Sequence, residues 1–313
     1  MNGEERTTML KPEEYFDPLP PEDRDTEFIA MESRSFGRNV WDTFSKNRLA
    51  LIGLICLTLI ILTALIGPLL SPYPYDGMDA LARNQGSSVA HLFGTDQMGR
   101  DIFTRVLYGT RVSLMVGFAS TALNLVIVVL YGGIAGYTGG RTDMIMMRIV
   151  DVIYAVPAMI YMILLMLIFG SNVYSVMLGI CVNGWVNMAR IVRSQVMTLK
   201  EQEFAVAAFV IGADRKRILF RHLLLNCLGP VIVTVTLMIP QAIFNEAFLS
   251  FIGIGISAPR ASLGTLAQDA KMLMNVYPMQ MVWPVLVICI VIFSLNFIGE
   301  GLETAMNPRG RRA

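Results

Sequence analysis

The chain has 313 residues, 54% of them hydrophobic and only 16% charged, with a mean hydropathy of +0.56; a soluble domain averages about 25% charged residues. Its apolar residues come in long runs, which excludes an ordinary soluble domain and points to an all-α polytopic membrane protein. A net charge of +1 leaves no electrostatic footprint for nucleic acid, and two histidines (His91, His222) with four scattered cysteines (Cys56, Cys181, Cys227, Cys289) form neither a metal-site spacing nor a disulfide framework.

Residues 1–34 are polar and acidic, and a mobile tail is expected there. They hold no basic stretch followed by an apolar one, so no signal peptide is expected and the N-terminus is placed in the cytoplasm. Residues 35–48, SFGRNVWDTFSKNR, put Phe36, Val40, Trp41 and Phe44 at helical spacing with basic residues on other faces. That pattern predicts an amphipathic helix in the cytoplasmic interface with Trp41 as anchor, or packed on the protein itself.

Six apolar runs follow, at about 49–70, 112–137, 152–169, 173–189, 228–252 and 281–298. The first, LALIGLICLTLIILTALIGPLL, is uncharged and long enough for the hydrocarbon core. The fourth is weaker because it contains Asn183, Trp185 and Asn187. Lys and Arg concentrate before the first run, between the second and third, between the fourth and fifth, and in the tail 307–313. By the positive-inside bias these are cytoplasmic and both ends lie on that side. The connection after the first run mixes four arginines with four aspartates, and its later part is expected to form a helix at the membrane surface starting near Asp96.

A few polar groups stand at membrane depth. Asp151 and Arg148, three apart, suit an ion pair on one helix face that fixes a helix end. Glu246 is costly in lipid, so it must face protein or a water-filled passage; helix packing and a translocation path remain equal readings. Asn183 and Asn187, four apart, suit either another helix or a path. No G-x-x-x-x-G-K-S/T phosphate cradle occurs, nor an H-E-x-x-H or G-x-S-x-G motif, so neither a catalytic nor a metal-ligating residue is nominated.

The largest internal loop contains EFAVAAFVIGADRKRILFRHLLLN from Glu203, whose apolar part is too short to span. Ala205, Ala207, Ala208 and Gly212 suggest a low-profile face that another backbone can approach; Phe204, Phe209 and Ile211 add apolar area. By composition alone a plain interfacial helix without a partner is the favoured reading.

This loop resembles the EAA motif of ABC importer permeases, with Val206, Ala207, Ala208 and Gly212 on the motif positions and Leu224 on the downstream leucine. Val206 stands where the signature glutamate is usual, and Leu225 where proline is usual. HLFGTDQMGRDIFTRVLYGTRVSL from His91, MMRIVDVIYAVP, NEAFLSFIGIG and SFGRNVWDTFSKNRLALIGL are similar to segments of the DppC/OppC permeases of dipeptide and oligopeptide importers. The resemblance covers about residues 34–306.

It implies the type I ABC importer permease fold, six transmembrane helices with a cytoplasmic coupling helix, over 49–306 in a bacterial or archaeal cell membrane. It also implies a homologous second permease, two cytoplasmic ATPases that hold the ATP and magnesium, none being bound here, an extracytoplasmic peptide-binding protein, and peptide as cargo. Phe204, Val206, Ala207, Ala208, Phe209 and Gly212 would form the ATPase-coupling segment; Gly94, Thr95, Asp96, Gly99, Arg100 and Asp101 would lie near the outer mouth. Related permeases carry nickel chelates and other small solutes; a membrane scaffold recruiting a soluble partner is the alternative of another class.

Overall fold

The computed structural model describes residues 36–306; residues 1–35 and 307–313, and with them the tail expected to be mobile over 1–34, lie outside the described residues. The chain divides into two units, Met1–Asn39 and Val40–Ala313. Of the first, only the opening residues of one helix are described; the other elements belong to the second.

The described residues are helical with no strand. The helices are α1 (Phe36–Phe44), α2 (Arg48–Leu70), α3 (Ile102–Thr138), α4 (Gly140–Ala155), α5 (Ala158–Phe169) and α6 (Val173–Gly184). They continue as α7 (Val186–Lys200), α8 (Glu203–Val210), α9 (Leu228–Phe251), α10 (Leu263–Lys271) and α11 (Pro278–Met306). Four of them, α2, α3, α9 and α11, are long and apolar enough to cross a membrane, and the bent pairs α4–α5 and α6–α7 make six if each pair is one span.

In α1, Phe44 is buried against Ala50 and Ala305, whereas Trp41 is 55% exposed, so the second half of this helix both packs on the protein and leaves an aromatic free for an interface. Asn47 caps α2 by accepting from the Leu49 and Ala50 amides at 3.1 and 3.2 Å. The buried residues of α2, Ala50, Gly53, Leu57 and Ala64, repeat at helical spacing and bring its backbone close to α11; Leu49, Leu59, Leu62, Leu65, Leu69 and Leu70 point outward. Pro68 removes the amide that would bond the Ala64 carbonyl. Arg111 of α3 supplies the missing donor, its guanidinium bonding the Ala64 and Leu65 carbonyls.

The surface helix expected from Asp96 is absent. Residues 96–101 form a turn; Asp101 accepts from the Thr104 amide at 2.8 Å as N-cap, and α3 runs unbroken from Ile102 for 37 residues. Its length, about 55 Å at 1.5 Å per residue, exceeds the hydrocarbon core of about 30 Å.

The run predicted as a span over 152–169 is broken. Pro157 forces Val156 into an extended conformation (φ −94°, ψ 127°), and α4 and α5 meet at 81°. The run over 173–189 bends by 43° at Trp185 and continues as α7 to Lys200. Two ion pairs join α4 to α7. Arg193 donates through Nε and Nη2 to the Asp143 carboxylate, and Arg190 donates to Asp151 at 2.9 Å while lying 4.7 Å from the Tyr154 ring centre. Arg148 reaches Asp151 only at 3.6 Å and is 76% exposed, so Arg190, distant in sequence, is the closer partner.

The segment before α3 is a compact knot. Gly94 and Gly99 have φ of 77° and 76°, and a Cβ on Gly99 would sit 1.7 Å from the Asp79 carbonyl oxygen. Thr95 is fully buried; its hydroxyl donates to the Ala82 carbonyl and accepts from the Gln85 amide at 2.9 Å. Asp96 accepts from Arg100 Nε at 2.6 Å and Arg105 Nη1 at 3.3 Å. Both arginines, themselves buried, also donate to Asp269 on α10, at 3.2 and 3.1 Å. Two cations and two anions thus tie the turn and the start of α3 to α10. Asp101 in addition pairs with His91 at 2.9 Å.

Two stability outcomes follow from this knot. Gly99→Ala is expected to lose about 2 kcal/mol or more through backbone strain and steric overlap. Gly86→Ala, whose added Cβ meets nothing within 4 Å, is expected to melt close to wild type; equal melting of the two variants in detergent would contradict this account. Asp269→Asn is expected to cost about 2 kcal/mol, less than the roughly 3–5 kcal/mol of a fully buried pair because Asp269 is 34% exposed. An unchanged melting temperature would mean that the four charges do not act together.

Candidate functional site: an amide-lined cavity and the helix α8

A cavity of about 530 Å³ lies among α3, α5, α6, α7 and α9, within the size range of small-molecule sites. Asn183 and Asn187 face it from the two sides of the bend at Trp185. From α9 come Thr234, Gln241 and Asn245, spaced seven and four apart so that they share one helix face. Gln241 Nε2 donates to Asn245 Oδ1 at 3.2 Å. From α3 come Thr121 and Asn124, three apart. Met162, Met188 and Met238 line the apolar part. Every polar group on this wall is a neutral amide or hydroxyl, able to donate and accept hydrogen bonds without imposing a net field.

Sequence reasoning singled out Asn183 and Asn187 and missed the other polar positions. The missed signal is the stripe Thr234, Gln241, Asn245 in an otherwise apolar span, whose 3.6-residue period marks a single face. Glu246 does not line the cavity. One position beyond Asn245, it turns to the opposite side, fully buried, and accepts from Ser113 at 2.7 Å and Ser250 at 2.8 Å. Ser113 also accepts from the Leu263 amide at 3.3 Å, so the carboxylate joins α3, α9 and the start of α10. Of the two roles open to Glu246 in the sequence, the geometry favours helix packing. No cluster of three His, Cys, Asp or Glu is placed to hold a metal ion among the described residues.

The helix α8 is inverted relative to the face expected from its alanines. Ala205 and Ala208 are buried against Val196, Ile218 and Leu219 of the same chain. The outward surface is apolar and bulky: Val206 is 50% exposed and Phe209 66%, with Phe204, Val210 and Ile211 exposed beside them and Ala207 outward. The small residues therefore weld α8 to its own membrane domain. Gly212 follows with φ 85° and open space around its Cα, so its glycine serves backbone conformation and not close approach. The Gly212 amide donates to the Phe209 carbonyl and the Ala213 amide to the Ala208 carbonyl, both at 3.0 Å, which is a Schellman closure. Beyond it, Arg215–Arg217, the wider π-helical stretch Ile218–Leu223 and Leu224–Asn226 run on without a break as one helical segment that leads towards α9. Tyr137, Val206 and Phe209 border a groove of about 370 Å³ beside α8.

Comparison with known proteins agrees with this architecture. Residues 128–312 match the family described as binding-protein-dependent transport system inner membrane component, and residues 35–86 match the N-terminal TM domain of oligopeptide transport permease C. The chain is 42% identical to the oligopeptide transport system permease protein OppC of Bacillus subtilis, over 96% of this chain and 99% of that protein. It is 40% identical to the dipeptide transport system permease protein DppC of the same organism, over 96% and 94%, and 39% identical to OppC of Escherichia coli K12, over 91% and 95%. Among solved structures it is similar to a chain of the MetNI methionine ABC transporter in an inward-facing conformation, with a TM-score of 0.54 and 17% identity over 65% of this chain and 96% of that one. That likeness concerns the fold, the type I ABC importer permease fold. With a family match over more than half its length and near full-length relatives, the chain belongs to the binding-protein-dependent transport system inner membrane components.

Proposed function

We propose that this chain is one of two related permease subunits of an ATP-driven importer of dipeptides or oligopeptides. The observation that carries the reading is the uncharged, amide-lined cavity in the middle of a helical membrane domain; the near full-length similarity to OppC and DppC supports peptide as the cargo. The cavity is this chain's half of the path, and the second permease supplies the other half. With six spans, each bent pair counting as one, both termini lie on the same side, and the distribution of Lys and Arg supports the cytoplasm as that side. The knot around Gly94–Asp101 then faces outward, towards an extracytoplasmic binding protein.

The exposed residues of α8 dock into a groove on one of two cytoplasmic ATPases, which hold the ATP and magnesium; this chain binds no nucleotide and catalyses no reaction. Phe204, Val206, Ala207 and Phe209 make the contact. Ala208 and Gly212 act from behind, the first by packing α8 on the membrane domain and the second by closing its C-terminus. A push on α8 passes through Val196, Ile218 and Leu219 into α7 and, by way of the helical segment before it, into α9; α7 and α9 both line the cavity.

The test is Phe209→Glu in a complex reconstituted with both permeases, the ATPases and the binding protein. A buried aromatic anchor is worth about 2 kcal/mol or more, so ATPase association should weaken about 30-fold. Peptide uptake and the ATPase activity stimulated by loaded binding protein should fall together, with the membrane domain melting as in wild type. Full uptake with normal stimulation would show that α8 is not the coupling element.

A further inference from the structure

We infer that the cavity is charge-blind: its wall engages the main-chain amides of a passing peptide and leaves the sign of its side chains unread. The inference rests on the peptide-permease reading above and concerns how the path treats its cargo.

Three observations carry it. First, among the described residues none that lines the cavity is charged, although titratable groups are close in sequence. Glu246 follows the wall residue Asn245, yet it is turned away and held by Ser113 and Ser250. Arg190 and Arg193 follow the wall residue Asn187, yet they are engaged by Asp151 and Asp143 on α4. The charges near the cavity are thus directed elsewhere and partnered there.

Second, the polar groups open to the cavity are amides. Asn187 and Gln241 are exposed and Asn183 and Asn245 half-buried on its wall, and a peptide carries an N–H and a C=O at nearly every residue. The amide groups of Asn183, Asn187, Gln241 and Asn245 complement peptide N–H and C=O groups alike. Third, Met238, half-buried on the wall, provides a thioether chain that repacks around side chains of different shape.

The absence of a wall charge has a measurable consequence. One unit charge about 8 Å from a cargo charge, in the screened interior of a protein, would alter passage about 30-fold. A neutral wall removes that discrimination, so that the choice between acidic and basic peptides falls to whatever delivers them.

The experiment uses the full complex in proteoliposomes with the tripeptides Ala-Lys-Ala, Ala-Ala-Ala and Ala-Glu-Ala, each presented on saturating loaded binding protein. Peptide translocated per ATP hydrolysed reports the path and not delivery. Wild type is expected to give the same ratio for all three within about twofold. Asn187→Asp is expected to lower Ala-Glu-Ala about tenfold relative to Ala-Lys-Ala, and Asn187→Lys to invert that order, an inversion that simple damage to the fold would not produce. Asn245→Asp and Asn245→Lys repeat the comparison from α9. An Ala-Ala-Ala peptide N-methylated at its central amide is expected to pass several-fold more slowly than its parent. A tenfold preference for one sign in wild type, the same order for the Asp and Lys variants, or equal passage of the N-methylated peptide would overturn the proposal. Uptake of none of the peptides by wild type would instead overturn the peptide reading beneath it.

Discussion

A polar group in the hydrocarbon region must find its partner inside the protein, and the buried carboxylate of Glu246 shows how that constraint organises this chain. It has no exposure to solvent and is held by hydroxyls from α3 and α9, one of which also receives the backbone of α10. The same rule places Arg111 on the carbonyl left open by Pro68, gathers Asp96, Arg100, Arg105 and Asp269 into one neutral cluster, and pairs α4 with α7 through Asp143 and Asp151. Once those groups are committed, the amides and hydroxyls around the cavity are among the polar side chains left in the helical domain.

Much of this fold was legible in the sequence because long apolar runs report spans directly, and because each of several motifs appears in the order the family requires. Less legible was continuity. The run at 152–169 reads as one span by hydropathy, but the residue before Pro157 is barred from helix, and hydropathy carries no term for that. The start of α3 was misplaced for the converse reason: Ile102–Arg111 looks too polar to belong to a span until Asp96 and Asp269 are seen to neutralise Arg100 and Arg105.

The site divides in the same way. Asn183 and Asn187 were recognisable because two amides four apart in an apolar run are costly. The orientation of α8 was not recognisable, since an alanine suits a close contact with either a partner or its own domain, and only the packing of Ala205 and Ala208 on Ile218 and Leu219 decides between them. The two readings of Glu246 were likewise separable only once Ser113, far away in sequence, was seen beside it. In each case the undecided quantity was a long-range contact, which no local pattern of residues carries.

The unusual length of α3 gives it a mechanical role that no other helix here can fill. One end begins in the cluster formed with Asp96 and Asp269; at the other, the Gly136 carbonyl accepts from Lys200 Nζ at 3.2 Å and Tyr137 borders the groove beside α8. Between those ends there is no proline and no break, whereas the α4–α5 and α6–α7 pairs are jointed and α9 and α11 carry internal prolines. Such a helix behaves as a strut: it resists compression, and it tilts as a unit. A tilt about its middle that displaces one end displaces the other in the opposite sense, so the two ends of α3 share a single degree of freedom while the jointed helices packed along it accommodate the change.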